Sequence, residues 1–318
     1  PIGTFFVGRQ CQIEGVWGTS FLDTEEEADS IKYVKKIDNL TLSAIFQKDV
    51  EQDEEWTDLN LNGTVDPGET VADEDSDTYY LLGKYKTENV TPGLLLAFTN
   101  DKTNPSATTR VYTAIPYFVS KFGPLAIQGE LAYKWGETEF DSGTADRDIK
   151  KLAYNLEATY NLGPASVMAG YAFVSGDDDA TDDENSAYGT VGEDWEKLFI
   201  LTYDEAPVDN LGNMGNLVDT GNYGAKIIYG GATFSPLDNL ELGVVAGTAI
   251  ADEVQFANQE DDIGAEYDLT LNWQIYDNLT YTAIAAFLDA GDIWKGKGGA
   301  ATEIEDTFAL FHQLELSF

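Results

Sequence analysis

Apolar and polar side chains alternate along much of this chain. In 125–136, Leu125, Ile127, Leu131, Tyr133 and Trp135 share one phase, and Gln128, Glu130 and Lys134 share the other. Residues 151–162 repeat this, setting Leu152, Tyr154, Leu156, Tyr160 and Leu162 against Lys151, Asn155, Glu157, Thr159 and Asn161. In 265–275, Tyr267, Leu269, Leu271, Trp273 and Ile275 oppose Glu266, Asp268, Thr270, Asn272 and Gln274. A period of two belongs to strands whose faces meet different surroundings, and helical spacing fits these windows less well. The pattern predicts strands at 4–14, 30–37, 40–48, 78–88, 93–100, 108–120, 124–137, 150–161, 165–175, 223–235, 239–251, 264–276, 279–289 and 307–318.

The connections alternate as well. Short ones carry turn chemistry: Asp38-Asn39, Thr91-Pro92-Gly93, Phe122-Gly123-Pro124, Leu162-Gly163-Pro164, Pro236-Leu237-Asp238-Asn239 and Asp277-Asn278. Asn, Asp and Gly accept unusual backbone angles, and Pro presets one. Long polar stretches lie near 15–29, 49–77, 101–107, 139–149, 176–222, 253–263 and 291–305. All tight turns therefore fall at one end of the strands and all long loops at the other. A soluble two-sheet sandwich would alternate too, but it gives no reason for this rhythm.

No apolar run reaches the ~18 residues of a membrane-spanning helix, whereas a spanning strand needs only about 9–11 residues with every second one apolar. The last twelve residues fit that scheme, alternating Phe308, Leu310, Leu314, Leu316 and Phe318 with Gln313, Glu315 and Ser317. With these strands and its terminal Phe318, the chain resembles the Gram-negative outer-membrane β-barrel family, porins in particular, over its whole length. Val7-Gly8-Arg9-Gln10 followed by Val16-Trp17-Gly18 is similar to the alginate-export porins. The resemblance implies a single all-β domain over 1–318, a transmembrane antiparallel up-and-down β-barrel of about 14 strands. It implies roughly 16–18 strands if an upstream pair or two is missing. The chain opens on Pro1 without Met or a signal-type segment, so the expectation is a removed leader or missing upstream sequence. The resemblance further implies residence in the outer membrane, with long loops extracellular and the C-terminus periplasmic. The partners it implies are lipid and lipopolysaccharide, small hydrophilic solutes or cations, and further copies of the chain in a homo-oligomer.

Charge sharpens the picture. With 18 Lys+Arg against 57 Asp+Glu, the formal charge is −39, which excludes a nucleic-acid binder that neutralises phosphates. At 12% aromatic the chain is not an acidic disordered segment. Most of the acid lies in the long connections. Lys84, Lys86, Arg110, Glu130, Lys134, Lys151, Glu157 and Lys226 are instead read on the polar phase of strands, hence as pore-lining. An acidic mouth would concentrate cations, an effect weakened by salt. It would equally keep the surface hydrated and bridge lipopolysaccharide through divalent ions. Alginate does not follow from the family likeness, because a polyanion wants a basic mouth. Aromatics are expected in two belts: Tyr117, Phe122, Tyr160, Phe234 and Tyr276 near the short turns, and Tyr79, Trp135, Phe173, Tyr267 and Trp294 near the long loops.

One loop carries chemistry. Asp58-Leu59-Asn60-Leu61-Asn62-Gly63-Thr64-Val65-Asp66-Pro67-Gly68-Glu69 matches the twelve-residue EF-hand calcium loop. Asp58, Asn60, Asn62, Asp66 and a bidentate Glu69 offer oxygen to a hard cation, the Thr64 carbonyl adds another, and Gly63 permits the sharp turn. The flanks do not read as paired helices, so the expectation is a structural Ca2+ site within a surface loop. The 176–222 connection opens on Asp177-Asp178-Asp179 and turns apolar at Trp195 and 198–203. It is read as a constriction folded into the barrel, or else as an extra pair of short strands above the membrane.

Enzymatic readings find little support. The single histidine, His312, lies in phase with Leu310 and Leu314, away from any nucleophile, and no Gly-rich phosphate loop or Cys/His cluster occurs. With Cys11 alone, no intrachain disulfide is available. Two functions stand: a diffusion channel favouring cations, and a scaffolding barrel that binds partners at its surface or sheaths one in its lumen.

Overall fold

The computed structural model describes the chain apart from residues 1, 12–18, 23–26, 52–54, 57–70, 73–74, 105, 142, 144, 180, 190, 192–194, 196, 203–222, 255–259 and 295–305. Its strands are β1 (Thr4–Cys11), β2 (Glu27–Ile37), β3 (Leu40–Val50), β4 (Glu55–Trp56), β5 (Val71–Ala72) and β6 (Ser76–Tyr85). They continue with β7 (Val90–Asp101), β8 (Ala107–Phe122), β9 (Leu125–Phe140), β10 (Arg147–Asn161), β11 (Ala165–Val174) and β12 (Glu184–Asn185). The last are β13 (Ala225–Leu237), β14 (Leu240–Ile250), β15 (Asp262–Tyr276), β16 (Leu279–Ala290) and β17 (Thr307–Leu316). Apart from β4, β5 and β12, each strand pairs antiparallel with the next long one in a single meander, and β12 lies parallel beside β10. Among the described residues β1 pairs only with β2 and β17 only with β16, so the meander's two ends are not hydrogen-bonded to each other.

The expected strands and rhythm are present, with one turn displaced. Between β6 and β7 the chain reverses at 86–89, not at Thr91-Pro92-Gly93. Thr87 closes this reversal, its N–H and hydroxyl both donating to the Val90 carbonyl. Gly93 is a strand residue because the Tyr117 ring lies where its side chain would be; an added Cβ would meet that ring at 2.0 Å. The other tight turns follow the sequence reading, with Gly123 and Gly163 at φ of 59° and 83°, where glycine carries no steric cost.

One face of the meander is apolar and exposed. Phe46, Tyr79, Phe98, Tyr112 and Trp135 stand opposite one another across β3, β6, β7, β8 and β9, ring centroids 4.9–6.4 Å apart, in a row near the long loops. Phe122, Tyr160, Phe234 and Tyr276 are exposed near the short turns. From Tyr112 to Phe122 the strand runs about 33 Å, which at a tilt of about 40° spans roughly 25 Å, the height of a barrel's apolar band. Tyr117 leaves the expected belt. It points inward and is 4% exposed, odd-numbered like Ile115 and opposite in phase to Tyr112 and Phe122.

Candidate functional site

On β6–β10 the inner face mixes threonines and lysines with apolar residues such as Leu95 and Ile115; Thr78 and Thr99 share a hydrogen bond at 2.9 Å, Thr109 and Thr138 another at 3.0 Å. These threonines, Thr113, Lys134 and Lys151 line a 490 Å³ cavity. Tyr188 and Val191 of the β11–β13 connection bound the same cavity, and Lys134 Nζ lies 4.2 Å from the centroid of the Tyr188 ring.

On β13–β17 the inner face is mostly apolar in the half nearer the long loops, and the same connection lies against it. Trp195 is 2% exposed and meets Phe21 and Tyr229 edge-on at 5.1 and 5.8 Å. Leu198 to Thr202 are buried. Leu198 sits over Gly247 of β14, Phe199 packs 5.8 Å from Phe311 of β17, and Lys197 reaches Glu157 of β10. One short segment thus touches inner-face residues of β10, β13, β14 and β17, so the sheet curls around it. Two carboxylates anchor it on β15. The Phe199 N–H donates to Asp268 Oδ2 at 3.0 Å, and the N–H groups of Ile200 and Leu201 donate to Glu266 Oε1 and Oε2 at 2.5 and 2.8 Å.

No family model and no curated protein matches the sequence. Solved structures do. OccK5 (OpdH) of Pseudomonas aeruginosa is similar over 100% of this chain and 79% of its own, at 13% identity and a TM-score of 0.53. OccK11 (OpdR) of the same organism is similar over 100% and 78%, at 13% identity and 0.51. OccK8 (OprE), also from that organism, covers 99% and 78%, at 13% identity and 0.50. The fold is that of the outer-membrane porins.

Within this porin fold the eight residues read as pore-lining separate. Lys84, Glu130, Lys134, Lys151 and Glu157 lie on the inner phase of their strands. Glu130 accepts a hydrogen bond from the Thr19 hydroxyl, so residues 19–22 also turn inward. Lys86 follows the end of β6 and is exposed in the tight turn. Arg110 and Lys226 are corrections: both point outward, in phase with Tyr112 and Ile228. Arg110 pairs with Glu139 at 2.7 Å and Lys226 with Asp252 at 2.8 Å. In β13 the apolar residues Ala225, Ile227 and Tyr229, which look like a lipid face, are buried on the inner side, with Tyr229 against Trp195. The two cations belong to a rim of ion pairs near the long loops, with Lys48–Asp75 at 2.7 Å, Arg147–Asp177 at 3.5 Å and Lys150–Glu184 at 2.6 Å. Nearby, burial and the carboxylates of Asp252 and Asp178 push Glu253 above the usual range.

The calcium-type residues Asp58, Asn60, Asn62, Thr64, Asp66 and Glu69 lie outside the described residues. Their flanks are placed, and β4 pairs antiparallel with β5, drawing the two ends of that loop together. The residues that sequence reasoning passed over are Glu266, Asp268 and Phe21. Their one signal was two acids on the polar phase of a strand whose neighbours carry apolar side chains on the same face.

Proposed function

We propose that this chain is an outer-membrane channel through which small hydrophilic solutes diffuse passively, with a preference for cations. The observation that carries the reading is the inward segment, which covers the β13–β17 side of the lumen and leaves the threonine-lined cavity beside β6–β10. A lumen of this many strands exceeds what wall side chains fill alone, so what lies inside it sets the aperture. In this reading the Lys134–Tyr188 contact marks a narrow point between wall and segment.

The cation preference rests on charge. Among the described residues of the rim, Lys48, Arg110, Arg147, Lys150 and Lys226 are ion-paired, while the chain carries a net −39, which leaves the mouth strongly negative. Such a mouth raises local cation concentration and repels anions. A scaffold that sheaths a partner needs a clear lumen, and the buried Trp195 and Leu198 argue against one. The long loops are assigned to the cell exterior and the C-terminus to the periplasm, with lipid and lipopolysaccharide around the apolar face. Loop 58–69 is assigned a structural Ca2+, supported by its oxygen donors and by the pairing of β4 with β5 at its base.

The reading is tested by the reversal potential of the purified chain in a planar bilayer under a salt gradient. A potential of cation-selective sign supports it and should shrink as salt rises. An anion-selective potential would sink the charge argument, and absence of conductance would sink the channel.

A further inference from the structure

The inner wall beneath the inward segment carries two acids on an otherwise apolar patch. Glu266 stands between Gly247 and Leu288 on the neighbouring strands, and Asp268 between Val245 and Ala286. Glu266 is 0% exposed and Asp268 is buried. Among the described residues no lysine or arginine forms an ion pair with either. Burying a carboxylate is costly unless donors replace its water.

The donors here are peptide groups. Three consecutive N–H groups, of Phe199, Ile200 and Leu201, point at the two carboxylates. They belong to a turn that closes on itself. The Thr202 N–H donates to the Leu198 carbonyl at 2.9 Å, and Thr202 Oγ1 accepts from the N–H groups of Lys197 and Leu198 at 2.8 and 2.9 Å. Such a turn directs its free N–H groups one way, and without the wall carboxylates they would be buried without acceptors. The three N–H groups thus find acceptors, and three of the four carboxylate oxygens find donors, Asp268 Oδ1 alone having none.

We propose that Glu266 and Asp268 are the positioning residues that hold segment 197–202 across the lumen and so set the channel's aperture. This inference rests on the channel reading above. The geometry asks both Glu266 oxygens to accept. A glutamine at 266 keeps one acceptor oxygen but turns an NH2 group toward the second peptide N–H, and an asparagine at 268 weakens the third bond.

The test compares the wild-type chain with E266Q/D268N, each reconstituted in lipid and checked for folding by heat-modifiable gel mobility. Amide hydrogen exchange at 199–201 should be slow in the wild type and about ten-fold or more faster in the variant, the factor that loss of one buried hydrogen bond is worth. Exchange in β8–β10 should not change, and single-channel conductance should rise. T202V, which leaves the wall intact and frees the turn from its own side, should move both readouts the same way and serves if the double variant does not fold. Unchanged exchange at 199–201 in the folded variants would overturn the proposal. Faster exchange without any change in conductance would uphold the anchoring but overturn the claim that the segment sets the aperture, whereas absence of conductance in the wild type would overturn the channel reading.

Discussion

Lys197 places its ammonium 2.9 Å from Glu157 Oε2, the oxygen to which the Tyr229 hydroxyl also donates at 2.9 Å. Gln128 Nε2 donates to the other carboxylate oxygen at 3.1 Å. The segment is therefore held at β10 as well as at β15. K197M removes the charge but leaves Glu157 its two neutral donors, so it should destabilise the folded barrel by about 1–3 kcal/mol. Denaturant unfolding in lipid or detergent reads this directly, and an unshifted midpoint would mean that the pair contributes nothing.

Gly247 gives Leu198 its seat. A Cβ there would lie 2.7 Å from Leu198 Cδ1 and 3.0 Å from the Ile228 carbonyl oxygen. The backbone oxygen cannot yield easily, so the segment must move. G247V is expected to cost about 1–3 kcal/mol by overpacking and to widen the pore. A higher single-channel conductance than wild type checks it. Unchanged conductance would place the segment away from the ion path.

Where the outer face alone sets the pattern, as in β9, β10 and β15, strand and phase were legible in the sequence. Lipid imposes one demand on every second residue, and Leu131, Leu156 and Leu269 answer it. The reading failed where the inner face is apolar too. Ile227 and Tyr229 mimic a lipid face although both are buried on the inner side, Tyr229 against Trp195, so Lys226 next to Ile227 reads as inward. Thr91-Pro92-Gly93 looks like a turn, but Gly93 is small to make room for Tyr117, a contact between separate strands. The pairing of Glu266 with Ile200 and Leu201 joins residues more than sixty positions apart, and no local pattern announces it.

The two faces of β15 should differ in their tolerance of charge. Leu269 is 62% exposed at mid-strand, on the phase of Tyr267. L269R should cost about 2–4 kcal/mol if that face meets hydrocarbon. N272R, on the inner phase, should cost far less. Equilibrium unfolding in lipid vesicles compares them, and equal costs would contradict the assignment of faces.

The assigned calcium loop predicts binding by the full chain that depends on Asp58 and Glu69. Isothermal titration should give a Kd of about 10⁻⁴–10⁻³ M, in the range of extracellular modules. D58A/E69Q should abolish that heat while leaving folding and conductance intact. Binding that survives the double change would place any calcium elsewhere among the acidic loops.

The account depends most on the division of every strand into a lipid face and an inner face. A nitroxide scan of β15 from 266 to 271, on a C11S background in liposomes, measures that division directly. Labels at 267, 269 and 271 should be accessible to oxygen and shielded from a water-soluble nickel complex, and those at 266, 268 and 270 should be shielded from oxygen. Nickel accessibility at 267, 269 and 271, with no period of two in the oxygen profile, would contradict it.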